Sequence, residues 1–338
     1  MFHFNTVLIK YSIIIPIYNR PQELDELLHS LVLQTFEGEF EVVVVEDGSS
    51  DTSKEVVASY SSKLAIRYFL KENTGAGRSR NFGMKEATGD YFIILDSDCV
   101  LPENYLANVA KALAENYTDA YGGADAAHSS FTTIQKAISY TMTSILTTGG
   151  IRGNKNLKGR FQPRSFNMGI SKIAYEKTKG YGNQHFGEDI DLAFRLWNHG
   201  FESQFIENAF VYHKRRTTWS SFFKQTFNFG AARPILNELH PSTAKITYWF
   251  PSVFILGFLI ATIGLFFQVN LLFYAYLVYL IFIAVDSLLQ NKSITVALAS
   301  VVAVLVQFAG YGTGFLRSMF RLKLARRSVK ETFPRMFS

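Results

Sequence analysis

The sequence predicts an α/β fold: a mostly parallel sheet sandwiched by helices, followed by C-terminal transmembrane helices. Two observations carry the first part. Short, continuously apolar and branched runs recur at residues 11–18 (YSIIIPIY), 41–46 (EVVVVE), 65–70 and 91–95 (YFIIL), and helix-like stretches separate them. Strands apolar on both faces belong to parallel sheets covered on both sides. The second part rests on three long apolar stretches that follow one another from residue 246.

The elements follow in order. Residues 11–18 are too short for a helix and read as a strand. Residues 21–34 read as a helix, with Pro21 in its first turn and Leu24, Leu27, Leu28 and Leu31 on one face. After the strand at 41–46, residues 51–61 form a helix capped by Asp51 or Thr52. A strand at 65–70, a Gly-opened helix at 75–87, the strand at 91–95 and a helix at 102–116 complete the pattern. The middle is less regular. Residues 131–148 are weakly amphipathic and are expected against the membrane, and residues 151–164 form a Gly- and Arg/Lys-rich loop. A strand at 166–171, a short helix opened by acids at 188–198 and an aromatic-rich helix at 217–233 follow.

Charge divides the chain. Residues 1–245 hold 26 Lys/Arg and 26 Asp/Glu, whereas residues 246–338 hold 8 and 2. The basic balance therefore belongs to the tail, which argues against nucleic acid as a partner of the first part. An apolar, basic tail suits an anionic membrane surface. The one cysteine, Cys99, excludes an intrachain disulfide and is consistent with a reducing compartment. No cleavable signal peptide is read at the start, so the first domain is expected on the cytoplasmic side of the cytoplasmic membrane.

The apolar stretches at 246–267, 271–289 and 294–316 each approach the ~20 residues that cross a hydrocarbon core. Asp286 is the one acid within them and sits near a helix end, where water can reach it. Three crossings from a cytoplasmic domain would place residues 317–335, with seven Lys/Arg, outside. That opposes the positive-inside tendency. Either one stretch is re-entrant or the tail lies outside, and the sequence leaves both open. The expected organisation is a domain at 1–240, a membrane region at 246–316 and a basic tail at 317–338.

Four motifs carry chemistry. Asp96-Ser97-Asp98 leaves the strand YFIIL at its carboxyl end, where open α/β sheets bind ligands. Two carboxylates one residue apart there suit a hard divalent cation, Mg²⁺ or Mn²⁺, shared with phosphate oxygens. A plain surface turn is the bland alternative. Glu46-Asp47-Gly48-Ser49-Ser50-Asp51 follows EVVVV. Its Asp47 suits a base N–H or a ribose hydroxyl, and a strand-to-helix turn is part of the same reading. In residues 12–20 (SIIIPIYNR), Pro16 ends the strand and Tyr18 is placed to wall a base pocket. In residues 73–83 (NTGAGRSRNFG), Gly75 and Gly77 let the backbone approach a ligand, and Arg78 and Arg80 offer guanidinium forks for phosphate. The segment is not a dinucleotide fingerprint, because Arg80 stands where the third Gly would be.

Taken together and in this order, Pro16 and Tyr18, the Glu46–Ser49 turn, the 75–83 segment and Asp96-Ser97-Asp98 resemble the inverting family 2 glycosyltransferases with the GT-A fold. The resemblance spans about residues 10–235. It implies that Asp47 contacts the donor base, that Asp96 lies near the donor ribose and that Asp98 ligates the metal. It also implies a general base in an acidic motif of the second half, matched by Gly187-Glu188-Asp189-Ile190-Asp191. Asp189 is the candidate base and Glu188 the positioning acid. Acids at a helix start also favour the dipole, which is the bland reading. Asn167-Met168-Gly169 resembles the segment near donor sugar and acceptor. His213, after the apolar run 209–212, resembles the late His that completes the metal shell. Lys214, Arg215 and Arg216 read as a solvated basic patch. The Gln-x-x-Arg-Trp motif of processive synthases is not intact here, which favours single-sugar transfer.

The expectation is a metal-dependent transferase that moves a sugar from a nucleotide diphosphate sugar to a hydroxyl of a lipid-linked or cell-surface glycan. A polyprenyl-phosphate acceptor is the alternative within the class. A non-catalytic, nucleotide-sugar-binding membrane scaffold is the alternative outside it.

Overall fold

The structure is a computed structural model that describes residues 9–149 and 160–337. The expected basic loop therefore lies outside the described residues except for positions 160–164. In chain order, β1 (Tyr11–Ile17), α1 (Pro21–Val32), β2 (Phe40–Asp47), α2 (Lys54–Tyr60), β3 (Ile66–Lys71), α3 (Ala76–Glu86) and β4 (Tyr91–Leu95) come first. Then follow β5 (Cys99–Val100), α4 (Tyr105–Glu115), β6 (Ala120–Ala126), α5 (Thr133–Thr143) and α6 (Ile145–Thr148). The chain continues with β7 (Asn167–Ser171), α7 (Lys172–Thr178), α8 (Glu188–Asn198), β8 (Ser203–His213) and α9 (Trp219–Leu239). It ends in α10 (Phe250–Gly264), α11 (Leu271–Asn291), α12 (Ile294–Met319) and α13 (Val329–Thr332).

These elements form two compact units. Residues 9–126 and 160–213 make one, and residues 127–149 and 214–337 make the other. The division departs from the expected boundary at residue 240. Helix α9 groups with the apolar helices because its small residues pack on α12, and the segment 127–149 joins them.

The first unit is an eight-stranded sheet in the order β3-β2-β1-β4-β7-β6-β8-β5. The four strands at β3, β2, β1 and β4 are parallel, as the continuous apolar runs predict. One face buries Ile13, Ile15, Val42 and Val44 against α1, and the other buries Ile14, Val43, Val45 and Ile94 with Met84 of α3 and Leu192 of α8. The other half is mixed, and four of the seven strand pairs in the sheet remain parallel. Strand β7 runs antiparallel to β4 and β6, β8 runs parallel to β6, and β5 pairs antiparallel with β8. These directions bring the carboxyl ends of β1, β2, β4 and β8 to one edge of the sheet, together with the amino end of β7.

Two local expectations change. Pro16 does not end β1. It pairs with Val45 inside the strand, beyond the last β4 partner, Ile14. Its missing N–H is therefore not asked for on the β4 side. Neither Asp51 nor Thr52 caps α2, which starts at Lys54. The Asp51 N–H instead donates to Asn19 Oδ1 at 3.0 Å.

In the second unit α12 is the hub. An added Cβ at Gly310 would lie 2.8 Å from Phe223 O, and one at Gly314 would lie 2.2 Å from Phe227 O. Backbones of α9 and α12 thus touch as only small residues permit. Ser252 Oγ of α10 donates to Gly312 O at 3.1 Å. Among the described residues, three helical stretches are long and apolar enough to cross a membrane: Ile246–Phe267, Leu271–Asn291 and Ile294–Leu324, of 22, 21 and 31 residues. Asp286 is not simply left to water. Its Oδ2 accepts from Tyr140 Oη at 2.6 Å, Gln290 Nε2 at 3.0 Å and Ser144 Oγ at 3.4 Å.

Candidate active site

The strand ends at one sheet edge set the site. After β1 the chain turns at Asn19, whose φ of 53° is left-handed. Asn19 Oδ1 accepts from Ser50 N at 2.9 Å and Asp51 N at 3.0 Å, and Asn19 N donates to Ser49 Oγ at 2.7 Å. This staples the loop after β1 to the loop after β2 and leaves Tyr18 half exposed beside them. Glu46 is fully buried and accepts from Ser53 N at 2.7 Å and Tyr68 Oη at 3.2 Å. Its role is to hold the turn.

Asp47 is also buried. Its Oδ1 accepts from Thr74 N at 2.9 Å and pairs with Lys71, and its Oδ2 accepts from Gly75 N at 2.8 Å. Burial works against its charge, but Lys71 and the Thr74 N–H outweigh it and hold the carboxyl below its ordinary value. A carboxylate offers about four acceptor positions, so the 71–75 loop takes most of them. Gly75 has a φ of 94°, and an added Cβ there would lie 2.4 Å from His185 Cε1. Only glycine fits this turn against that ring.

Arg80 sits at the centre. It is 3% exposed, and its fork donates to Asp96 Oδ1 at 2.6 Å and Glu188 Oε1 at 3.1 Å. Its guanidinium also lies 5.2 Å from the centre of the Tyr181 ring. Where phosphate contact was expected of Arg80, its two Nη atoms instead hold two acids that lie 92 residues apart in sequence. Arg78, one turn from Gly75, is exposed.

Glu188 opens α8, with Gly187 preceding it at a φ of 74°. Burial pushes its carboxyl up to about 7, the Asp189 charge adds to this, and Arg80 opposes it. Asp189 Oδ1 accepts from Ile190 N at 2.8 Å, and its Oδ2 lies 3.7 Å from Arg164 Nη1. Asp191 turns inward and pairs with Arg195, whose other nitrogens donate to Thr178 O at 2.6 Å and Gly180 O at 2.7 Å.

Asp98 lies beyond β4. Its Oδ2 accepts from Arg20 Nη1 at 2.6 Å, and its Oδ1 lies 3.3 Å from His213 Nε2. Burial works against its charge, and His213 and Arg20 outweigh burial and hold the carboxyl well below the usual range. The antiparallel pairing of Cys99 with His213 delivers the imidazole here, and Phe166 stacks on it at 4.7 Å. Donor atoms of Asp98, Cys99 and His213 all lie within 4.8 Å of one another. A carboxylate oxygen and an imidazole nitrogen fit Mg²⁺ or, better, Mn²⁺. The thiol is the odd member, and it faces Phe166 O at 3.5 Å.

Acceptor contacts were expected at Asn167, Met168 and Gly169. All three are buried inside β7. Asn167 Oδ1 accepts from Tyr105 Oη at 2.6 Å, and its Nδ2 donates to Ala209 O at 2.8 Å. An added Cβ at Gly169 would lie 2.0 Å from the Tyr121 ring. The three therefore fix β7. Arg215, read as part of a solvated patch, is also buried. Sequence reasoning missed Arg20, Lys71 and His185. The signal for the first two was their place just past β1 and at the end of β3.

The chain is similar to known proteins. Residues 12–177 match the family described as Glycosyl transferase family 2. The poly(ribitol-phosphate) β-N-acetylglucosaminyltransferase TarS of Staphylococcus aureus is 37% identical over 115 residues, covering 33% of this chain and 20% of that protein. The validoxylamine A glucosyltransferase of Streptomyces hygroscopicus subsp. limoneus is 40% identical over 106 residues, covering 30% of this chain and 23% of that protein. The chain thus spans about a fifth of the length of these curated relatives. Among solved structures, the mannosyltransferase PcManGT of Pyrobaculum calidifontis, in complex with GDP-Man and Mn²⁺, aligns with a TM-score of 0.60 at 16% identity, covering 92% of this chain and 88% of that one. Sheet order, strand-end acids and these likenesses lead to one statement: residues 12–177 form a family 2 glycosyltransferase domain on a GT-A-type mixed sheet.

Proposed function

We propose that the chain is a membrane-anchored, inverting glycosyltransferase. It moves a sugar from a nucleotide diphosphate sugar to a hydroxyl of a lipid-linked or cell-surface glycan, with the chemistry in residues 1–240 and the anchor in residues 246–316. The observation that carries this reading is the Arg80 fork, which ties the acid after β4 to the acid that opens α8. Donor-side and acceptor-side carboxylates thereby share one sheet edge.

The roles follow from place. Pro16, Tyr18 and Asp47 shape the base pocket, Asp47 mainly by holding the 71–75 loop. Arg78 reaches the diphosphate from the exposed start of α3. Asp96, fixed by Arg80, faces the donor ribose. Asp98 and His213 would hold a divalent cation, which when bound supplies charge neutralisation at the departing diphosphate. Asp189 takes the proton from the attacking hydroxyl, and Glu188 beside it positions that base. The anchor places the domain at the cytoplasmic face of the cytoplasmic membrane.

The test is a donor screen on the purified full chain in detergent, scoring nucleoside diphosphate release with Mn²⁺, Mg²⁺ or chelator. Asp189→Asn should lower the rate about 10²–10⁴-fold. A small loss would favour a polyprenyl-phosphate acceptor, whose oxygen needs no base. No release with any nucleotide sugar and any lipid extract would leave a nucleotide-sugar-binding scaffold.

A further inference from the structure

The end of the α9–α12 pair holds a set of buried polar atoms that no described group satisfies. Arg233 is 8% exposed, and its Nη1 has no hydrogen-bond partner. Asn237 Oδ1, one turn further on α9, is also buried and unpartnered. So are Ser318 Oγ of α12 and Thr332 Oγ1 of α13. Buried polar groups are nearly always hydrogen-bonded, and exceptions point to a group that binds there.

Contacts on the page place these atoms at one level of the second unit. The close approach of Gly314 to Ala231 fixes the register of α12 on α9. One turn on, Ser318 stands level with the stretch that carries Arg233 and Asn237. Beyond them Lys323 Nζ meets Glu238 Oε1 at 2.5 Å, and Arg321 Nη1 donates to Thr332 O at 3.0 Å. The Tyr248 ring lies 4.4 Å from the Arg233 guanidinium carbon and covers one face of that cation.

The level is also that of a bilayer surface. The stretch Ile294–Leu324 has 31 residues, which at ~1.5 Å each spans about 46 Å. A hydrocarbon core takes about 30 Å. The last ten or so residues therefore project into the head-group layer, and that is where Arg317, Arg321 and Lys323 begin. Trp249 packs on Phe315 at 4.9 Å, as aromatic residues do at that boundary.

We propose that Arg233, Ser318 and Thr332 form a binding site for the phosphate head group of an anionic membrane lipid. Arg233 supplies the charge, the two hydroxyls donate to phosphate oxygens, and Tyr248 closes over the guanidinium. Two acids stand nearby: Glu238, which Lys323 neutralises, and Glu331, whose Oε2 accepts from Ser328 N at 2.9 Å and Ser328 Oγ at 2.7 Å. The inference uses only the second unit and does not rest on the transferase reading.

The experiment uses the full chain in detergent. Native mass spectrometry counts retained phosphatidylglycerol against phosphatidylcholine, and inorganic phosphate is titrated separately by thermal shift. Selective retention of phosphatidylglycerol should fall at least tenfold in Arg233→Gln and recover partly in Arg233→Lys. Arg326→Gln, an exposed charge of the same tail, should weaken it less than threefold. Ser318→Ala is the milder variant should Arg233→Gln fail to fold, and it should lower retention severalfold. Stabilisation by inorganic phosphate equal to that by the lipid would assign the site to free phosphate. Equal retention in wild type and both site variants, or a loss in Arg326→Gln as large as in Arg233→Gln, would overturn the proposal.

Discussion

Arg20 Nη1 donates to Asp98 Oδ2 at 2.6 Å, so the carboxylate that faces the proposed cation already carries a positive partner. The two groups compete for one charge. Arg20→Ala should therefore raise Mn²⁺ affinity. The expected gain is about fivefold, below the range for a buried charged hydrogen bond because the arginine side chain is 35% exposed. Asp98→Asn should abolish binding, and a Mn²⁺ titration followed by electron paramagnetic resonance reads both.

Arg80→Met should leave Asp96 and Glu188 without their shared partner. Breaking a buried pair from one side costs about 3–5 kcal/mol. Thermal unfolding should drop sharply, and Glu188→Gln added to Arg80→Met should restore part of the loss, since it removes one of the stranded charges. A double-mutant cycle with no coupling would contradict the fork.

Glu188 provides a pH signature. Its folded carboxyl is raised to about 7 by burial first and the Asp189 charge second. A group raised above its unfolded value gives stability that is fully present below that value and is lost as pH climbs through the folded one. Stability should therefore decline between about 4.5 and 7. Glu188→Gln should flatten this limb in a series of melting curves.

Glu41 has the opposite sign. It is buried, but hydrogen bonds from Ser12, Thr88 and Arg67 outweigh burial and lower it to about 2. Its contribution is present above the unfolded value near 4.5 and should be lost as pH falls toward about 2. Glu41→Gln should remove that acid-side limb while leaving the Glu188 limb in place.

Gly314→Val tests the helix contact. An added Cβ would lie 2.2 Å from Phe227 O, against backbone that has no rotamer to change. The substitution should lower the melting temperature of the full chain in detergent, whereas Gly200→Ala, with open space around its Cβ position, should cost only the strain of a φ of 81°.

Much of this was legible in the sequence where a local pattern suffices. The strand YFIIL and the helix from Glu188 to Asn198 were read with their observed limits, because burial on both faces and an acid-opened, amphipathic run are local signals. Asp98 and His213 were paired from a family pattern, and the structure brings them to 3.3 Å. The antiparallel half was not legible. Strand β6 reads AYGGADA, small and weakly apolar, and it becomes a strand only through its partners β7 and β8. Asn167 looks like a ligand residue in sequence, and only the Tyr105 and Ala209 partners show that its amide is already spent. Arg80 differs for a similar reason: nothing local reveals that an arginine in a glycine-opened helix will be buried between two acids.

The polypeptide enters the helical unit at residue 127, returns to the sheet for residues 160–213 and leaves it again at 214. A soluble catalytic fragment therefore cannot be made by one cut. Ending the chain at 213 would strand α5 and α6 with their greasy sides in water. Excising 127–149 in favour of a short polar bridge, together with that cut, is what should yield a monodisperse sheet unit.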